Sequence, residues 1–211
     1  MTHHGAAAPP CPAVFLDKDG TLVVDVPYNA DPALLRFTPR ALPALQALQR
    51  AGYALVVVVS NQHGLALGRF SAEQFETLRR ALHDKLVAEA GVTLDGFYFC
   101  PHAPDAGCDC RKPAPGLLLQ AAGALHLDLA RSWMVGEILN DVEAGRRAGC
   151  RSVLLDVGNE TQWQLSPQRL PHHRAKDLFD AAAFILGSDD MGENQTLRHD
   201  AAPVVSHEVL S

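Results

Sequence analysis

The run Ala54-Leu55-Val56-Val57-Val58-Val59 constrains the fold more than any other stretch of the chain. An unbroken aliphatic segment of this length, rich in β-branched residues, suits a strand covered on both faces. Such strands belong to parallel sheets. The run stops abruptly at the polar Ser60-Asn61-Gln62. The same pattern recurs along the chain. Val14-Phe15-Leu16 runs into Asp17-Lys18-Asp19-Gly20-Thr21, Phe97 to Phe99 leads to a cluster of cysteines and a histidine, and Trp133-Met134-Val135 stops at Gly136-Glu137. Val153-Leu154-Leu155 reads as one more strand.

Helical signals lie between these strands. Thr38 and Pro39 are placed as N-cap and first residue of a helix whose apolar face is Leu42, Leu45 and Leu48, ending at Gly52. Ser71 and Gln74 form a capping box for a helix over about 72–90, with Leu78, Leu82 and Leu86 as its buried stripe and Gly91 as its stop. Pro115-Gly116 opens a helix to about Leu125, and another spans about Asp141 to Ala148. Alternating strands and helices predict an α/β protein: a three-layer, Rossmann-like parallel sheet with right-handed crossovers and helices on both faces. In such sheets ligands bind beyond the strands' C-terminal ends. Every polar motif here lies at, or shortly after, one of those ends.

One domain over 13–187 is expected, with a flexible lead-in at 1–12, an irregular loop at 25–37 and a polar, disordered tail at 188–211, where only Val204-Val205 could dock. The net charge of −6 argues against nucleic acid and anionic membrane as partners. No apolar run approaches the ~20 residues of a membrane span, and Met1 to Gly5 lack signal-peptide features, so a cytoplasmic monomer acting on a small molecule is expected.

Alternation puts Asp17 and Asp19 on one side of a strand end, where Gly20 lets the chain turn away. Paired carboxylates repel unless a cation or a proton sits between them. Such a pair suits magnesium-assisted chemistry in which one acid attacks and the other moves a proton. Ser60 and Asn61 offer a hydroxyl and an amide to phosphate oxygens. Lys112 can neutralise charge on a transferring phosphoryl group, and Arg111 can grip phosphate through paired N–H groups. Glu137 and Asp141, four apart at a strand-to-helix junction, can complete a magnesium site, although helix N-terminal acids are also favoured by the macrodipole. Cys100, His102, Cys108 and Cys110 have the donors of a closed tetrahedral zinc site that would brace the loop carrying Arg111 and Lys112. The remaining candidates are weaker. His63 could face substrate, Cys11 and Cys150 read as ordinary small residues, and His3-His4 and His172-His173 read as solvated loop.

Taken together, these motifs resemble the haloacid dehalogenase superfamily of phosphotransferases over about residues 13–157. Asp17-Lys18-Asp19-Gly20-Thr21 matches its first motif, Ser60 its second, Lys112 its third, and Gly136-Glu137 with Asp141 its fourth. The cysteine–histidine cluster is similar to that of the small, capless, zinc-bearing phosphatases, which act on heptose bisphosphate or on histidinol phosphate. Ser60-Asn61-Gln62-His63-Gly64-Leu65-Ala66, Asp95-Gly96-Phe97-Tyr98 and Lys112-Pro113-Ala114-Pro115-Gly116 resemble the heptose branch. The short gap from His102 to Cys108 resembles the histidinol branch. The resemblance implies magnesium held by Asp17, the Asp19 carbonyl and the Glu137/Asp141 end, with Asp17 as nucleophile and Asp19 as acid and base. One departure stands out: the family's fourth motif has Asp where this chain has Glu137, and its longer arm predicts weaker magnesium binding. If Glu137 disables the site, a phosphosugar-binding protein without turnover is the alternative.

Overall fold

The computed structural model describes residues 9–59 and 63–199, with backbone alone for 57–59, 63 and 189–199. Its centre is a parallel sheet of β1 (Ala13–Leu16), β2 (Ala54–Val59), β3 (Gly96–Phe99), β4 (Trp133–Gly136), β5 (Arg151–Leu155) and β6 (His173–Ala175). The spatial order is β3-β2-β1-β4-β5-β6. The chain therefore winds outward from β1 to β3, then returns to the far side of β1 and winds the other way. The switch point lies between β1 and β4, where Phe15 pairs with Met134 and Leu16 with Val135. Crevices form at such reversals, beyond the strands' carboxyl ends.

Helices α1 (Ala41–Arg50), α2 (His63–Ala66), α3 (Ala72–Ala90), α4 (Gly116–Leu125), α5 (Leu139–Ala148) and α6 (Leu178–His199) complete the fold. Strand alternation sorts β1 between two cores. Val14 and Leu16 face Leu45, Leu78, Leu82 and Ile185, from α1, α3 and α6. Ala13 and Phe15 face Leu117, Leu118 and Ala144, from α4 and α5. Both sides of β1 are fully buried. Each such Leu or Phe contributes about 1.5–3 kcal/mol of transfer free energy, so the end of β1 rests on a stiff base.

The capping box forms as the sequence predicts: Ser71 Oγ accepts from the Gln74 N–H and Gln74 Oε1 from the Ser71 N–H, at 3.1 and 2.8 Å. Gly91 ends α3 in the left-handed region. The start of α1 differs from expectation. Thr38 spends its hydroxyl on the Thr21 carbonyl at 2.7 Å, and the helix begins at Ala41 after a left-handed Arg40. Thr38 thus ties α1's entry to the loop after β1 rather than capping the helix. That loop is also more regular than expected. Val23 bridges Phe37 in antiparallel fashion, and the Val24 N–H donates to the Arg36 carbonyl at 2.8 Å. The segment leaves and returns as a ribbon. The expected loose lead-in is already docked at Cys11, whose carbonyl accepts from the Asp128 N–H at 2.8 Å.

Two elements at the C-terminal side were not predicted. His173 opens β6 instead of lying in a solvated loop, and stacks on Phe184; His172, exposed just before the strand, accepts at Nδ1 from the Ser152 N–H at 3.0 Å. Helix α6 continues through Gly187 to His199, past the boundary where a disordered tail was expected. Residues 200–211, with Val204-Val205, lie outside the described residues.

Candidate active site

The end of β1 delivers Asp17, whose N–H still donates to the Val135 carbonyl at 3.0 Å. The chain then coils. The Lys18 carbonyl accepts from the Leu22 and Val23 N–H groups, and Gly20 turns with φ +77°. That turn is open only to glycine for a second reason: a Cβ on Gly20 would lie 1.7 Å from Glu137 Oε2. Glu137, arriving from β4, therefore lays its carboxylate against the bare Cα of Gly20. On its other side Asn159 Nδ2 donates to the same oxygen at 2.5 Å.

Lys112 enters from the loop before α4, and its own peptide bond to Pro113 is cis. Its side chain is 1% exposed, and Nζ lies 2.5 Å from both Asp17 Oδ1 and Asp141 Oδ1. Asp141 sits in the first turn of α5, where Oδ2 accepts from the Ile138 N–H at 3.2 Å. Gly136 leaves the room it needs, since a Cβ there would lie 2.2 Å from Asp141 Oδ2. Lys18 is also buried and holds Asp19 Oδ1 at 2.5 Å.

Burial pushes the Asp17 carboxyl up to about 7; Lys112 opposes that shift, and Asp141 and Asp19 reinforce it. Burial likewise pushes Glu137 up to about 7, against its hydrogen bond from Asn159 and with the charges of Asp141, Asp25 and Asp19. Burial disfavours the Lys112 ammonium, but Asp141 and Asp17 outweigh it and raise its pKa. The cluster is thus short of positive charge. Asp141 Oδ1 is buried and neutralised by Lys112 without an aligned hydrogen bond. Oxygen donors with unfilled lone pairs and carboxylates reluctant to ionise together fit a hard divalent cation such as magnesium.

The cysteine–histidine cluster forms beside Lys112. Cys100 lies 3.5 Å from His102 Nδ1 and 3.5 Å from Cys108; Cys110 lies 3.1 Å from His102 Nδ1 and 3.4 Å from Cys108. All four ligand atoms fall within 4.8 Å of one another. A tetrahedral zinc with Zn–S near 2.3 Å has donor–donor edges of about 3.5–3.8 Å, so the donor set fits that ion. Burial raises Cys108, but hydrogen bonds from Cys110, Cys100 and the Arg111 and Cys110 backbone outweigh it and bring the thiol down to about 6. Burial raises Cys100 and pushes Cys110 up to about 12, so Cys108 is the one thiol of the three held down; a metal takes the thiolate form of each. One residue, Arg111, separates Cys110 from Lys112, so the cluster fixes the loop that aims the lysine. Cys150, by contrast, is an isolated buried thiol pushed up to about 12.

The structure therefore gathers Asp17, Asp19, Lys112, Glu137 and Asp141 around the switch point. Arg111 is half-buried on the loop between Cys110 and Lys112. Ser60 and Asn61, and the His63 side chain, lie outside the described residues. Sequence reasoning missed Lys18, Asp25, Asn159 and Glu160. Lys18 sits inside the Asp17–Asp19 motif and was legible there. Asn159 and Glu160 follow β5 and meet the site only through tertiary contact. A cleft of about 370 Å³ opens beside the acids, lined by Gly20, Val24, Asp25, Val157, Asn159 and Lys176 among others.

A doubly wound parallel α/β sheet with a lysine-bridged carboxylate cluster at its switch point defines a hydrolase-type fold of the haloacid dehalogenase kind. A family model described as HAD-hydrolase-like matches residues 109–181. A Salmonella typhi protein named D-glycero-beta-D-manno-heptose-1,7-bisphosphate 7-phosphatase is 43% identical over 171 residues, covering 74% of this chain and 90% of the relative. Its namesake from Escherichia coli K12 is 44% identical over 151 residues, 68% of this chain and 78% of the relative. The chain belongs to the haloacid dehalogenase-like hydrolase family. Among solved structures, a D,D-heptose 1,7-bisphosphate phosphatase from B. bronchiseptica, complexed with magnesium and phosphate, superposes with TM-score 0.71 at 30% identity, covering 84% of this chain and 99% of that one. A putative HAD-like phosphatase from Mesorhizobium loti gives TM-score 0.72 at 36% identity, covering 84% and 87%.

Proposed function

We propose that this chain is a magnesium-dependent phosphomonoesterase that removes the 7-phosphate of D-glycero-D-manno-heptose 1,7-bisphosphate. The observation that carries the reading is the Lys112 ammonium 2.5 Å from Asp17 Oδ1. It places fixed positive charge beside the one carboxylate that emerges from β1 at the switch point. The relatives' names support the substrate, and the B. bronchiseptica structure's magnesium and phosphate support the chemistry.

Asp17 attacks phosphorus, the bond to the sugar oxygen breaks, and an aspartyl phosphate forms. Asp19 gives its proton to the leaving oxygen, then takes one from the water that cleaves the acyl phosphate. Lys112 offsets the charge on the transferring group, and Ser60, Asn61 and Arg111 hold the remaining oxygens. Asp17, the Asp19 carbonyl and the Glu137/Asp141 end would hold the magnesium ion, which when bound orients the phosphate and neutralises its charge. Cys100, His102, Cys108 and Cys110 would hold a structural zinc; a donor set of this kind has no open position for substrate. Unpaired thiols in this number fit a reducing, cytoplasmic setting.

A panel tests the reading: phosphate release with magnesium from both anomers of the heptose bisphosphate and from histidinol phosphate. The heptose bisphosphate is expected to be turned over with the greatest kcat/KM. Preference for histidinol phosphate would reassign the substrate. Binding without any release would leave a phosphosugar-binding protein.

A further inference from the structure

We propose that Asn159 is a positioning residue for Glu137, holding this longer acidic arm at the metal end of the site. The inference rests on the magnesium reading above. Glu137 reaches the site on a side chain with one more torsion than an aspartate, and that freedom must be removed before the carboxylate can serve a metal demanding near-octahedral geometry. Two contacts remove it. Gly20 presents a bare Cα on one side, where any Cβ would collide with the carboxylate. Asn159 donates to Oε2 from the other side at 2.5 Å.

The segment that carries Asn159 is itself anchored at both ends. Glu160 Oε2 accepts from the Leu139 N–H at 2.8 Å, so adjacent residues grip the motif at Glu137 and again two positions later. Further along, Arg169 Nε donates to Glu143 Oε2 at 2.6 Å and its terminal N–H to Asn140 Oδ1 at 3.0 Å. Residues 159–169 thus lie as a strap over the start of α5. An aspartate at position 137 would stop one methylene short of the Asn159 amide, so the contact belongs to the glutamate. Asn159 touches no reacting atom; it acts through Glu137.

The test is a double-mutant cycle read by calorimetric magnesium binding to the full chain without substrate. Asn159→Ala is expected to weaken magnesium binding about tenfold, the lower end of what supporting hydrogen bonds to metal ligands contribute. In a Glu137→Asp background the same change is expected to shift the Kd less than twofold. Melting in EDTA is expected to be the same for wild type and Asn159→Ala, since the residue is exposed. Equal magnesium affinity in wild type and Asn159→Ala overturns the proposal, as does an equal loss in both backgrounds. Lowered melting with unchanged affinity makes Asn159 merely structural and also overturns it. Absence of magnesium binding to the wild type overturns the metal reading itself, a result distinct from the others.

Discussion

Lys112 Nζ lies 2.5 Å from Asp17 Oδ1, joining residues 95 apart in sequence, with the lysine buried and the aspartate partly open to solvent. The ammonium also touches Asp141, so one lysine neutralises two carboxylates, one at the end of β1 and one in the first turn of α5. Removing it leaves both acids without a counter-charge, Asp141 keeping only the Ile138 N–H. Breaking a buried pair costs about 3–5 kcal/mol, which in a chain of this size lowers Tm by roughly 6–20 °C. Lys112→Met is expected to show that loss at pH 8 and a smaller one at pH 5, where the orphaned acids can take up protons. Thermal melts at the two pH values check it.

Magnesium and protons compete for the same oxygens. Asp17 and Glu137 are raised by burial to about 7 in the folded chain, well above the ordinary carboxylate range. Between about pH 4 and 7 the folded state holds more protons there than the unfolded state. Their contribution to metal-free stability therefore falls as pH rises through that window. The Lys112 shift lies above the window, and the lowered pKa of His172 acts in the opposite sense but equally with and without magnesium. The magnesium-induced rise in Tm is expected to be small at pH 5 and larger at pH 8. Equal rises would show that the two acids are not the ligands.

Stripping the cysteine–histidine cluster tests the zinc assignment. A strong chelator, or Cys100→Ser, is expected to lower Tm by about 5–15 °C, a few kcal/mol of coupled metal-binding energy. Turnover is expected to fall with it, because the loop from Cys110 carries Arg111 and Lys112. Metal analysis of the purified protein should find about one zinc per chain; its absence, with unchanged melting, would contradict the assignment.

A control far from the acids separates stability from chemistry. Ser71→Ala removes the N-cap of α3 and is expected to cost about 1 kcal/mol, or some 2–4 °C in Tm. Turnover should stay at the wild-type value. A large loss of activity would place α3's N-terminus in the site.

The chain's pattern made the central sheet legible because β1, β2 and β4 are short, apolar and end in polar residues. The α3 boundaries were legible because Ser71, Gln74 and Gly91 carry local signals that tertiary contacts do not override. Thr38 misled, since a threonine before proline looks like a cap whether or not its hydroxyl has a better partner in Thr21. Strand β6 has only His173-Arg174-Ala175 to announce it, and its pairing with β5 supplies what propensity does not. Helix α6 did carry a signal: Leu178, Ala181, Ala182 and Ile185 are buried at helical spacing. The acids and Lys112 could be listed from motifs, but their shared contact needed the fold. Asn159 against Glu137 left no trace in local sequence.

The most direct measurement is phosphate release from the heptose bisphosphate by wild type and Asp17→Asn, each with magnesium and with EDTA. The account predicts loss of the 7-phosphate by wild type alone, restored after EDTA by magnesium and zinc together but not by zinc alone, and no turnover by an Asp17→Asn variant that melts as a folded protein. Substantial release by that variant would remove Asp17 from the nucleophile's place and contradict the account.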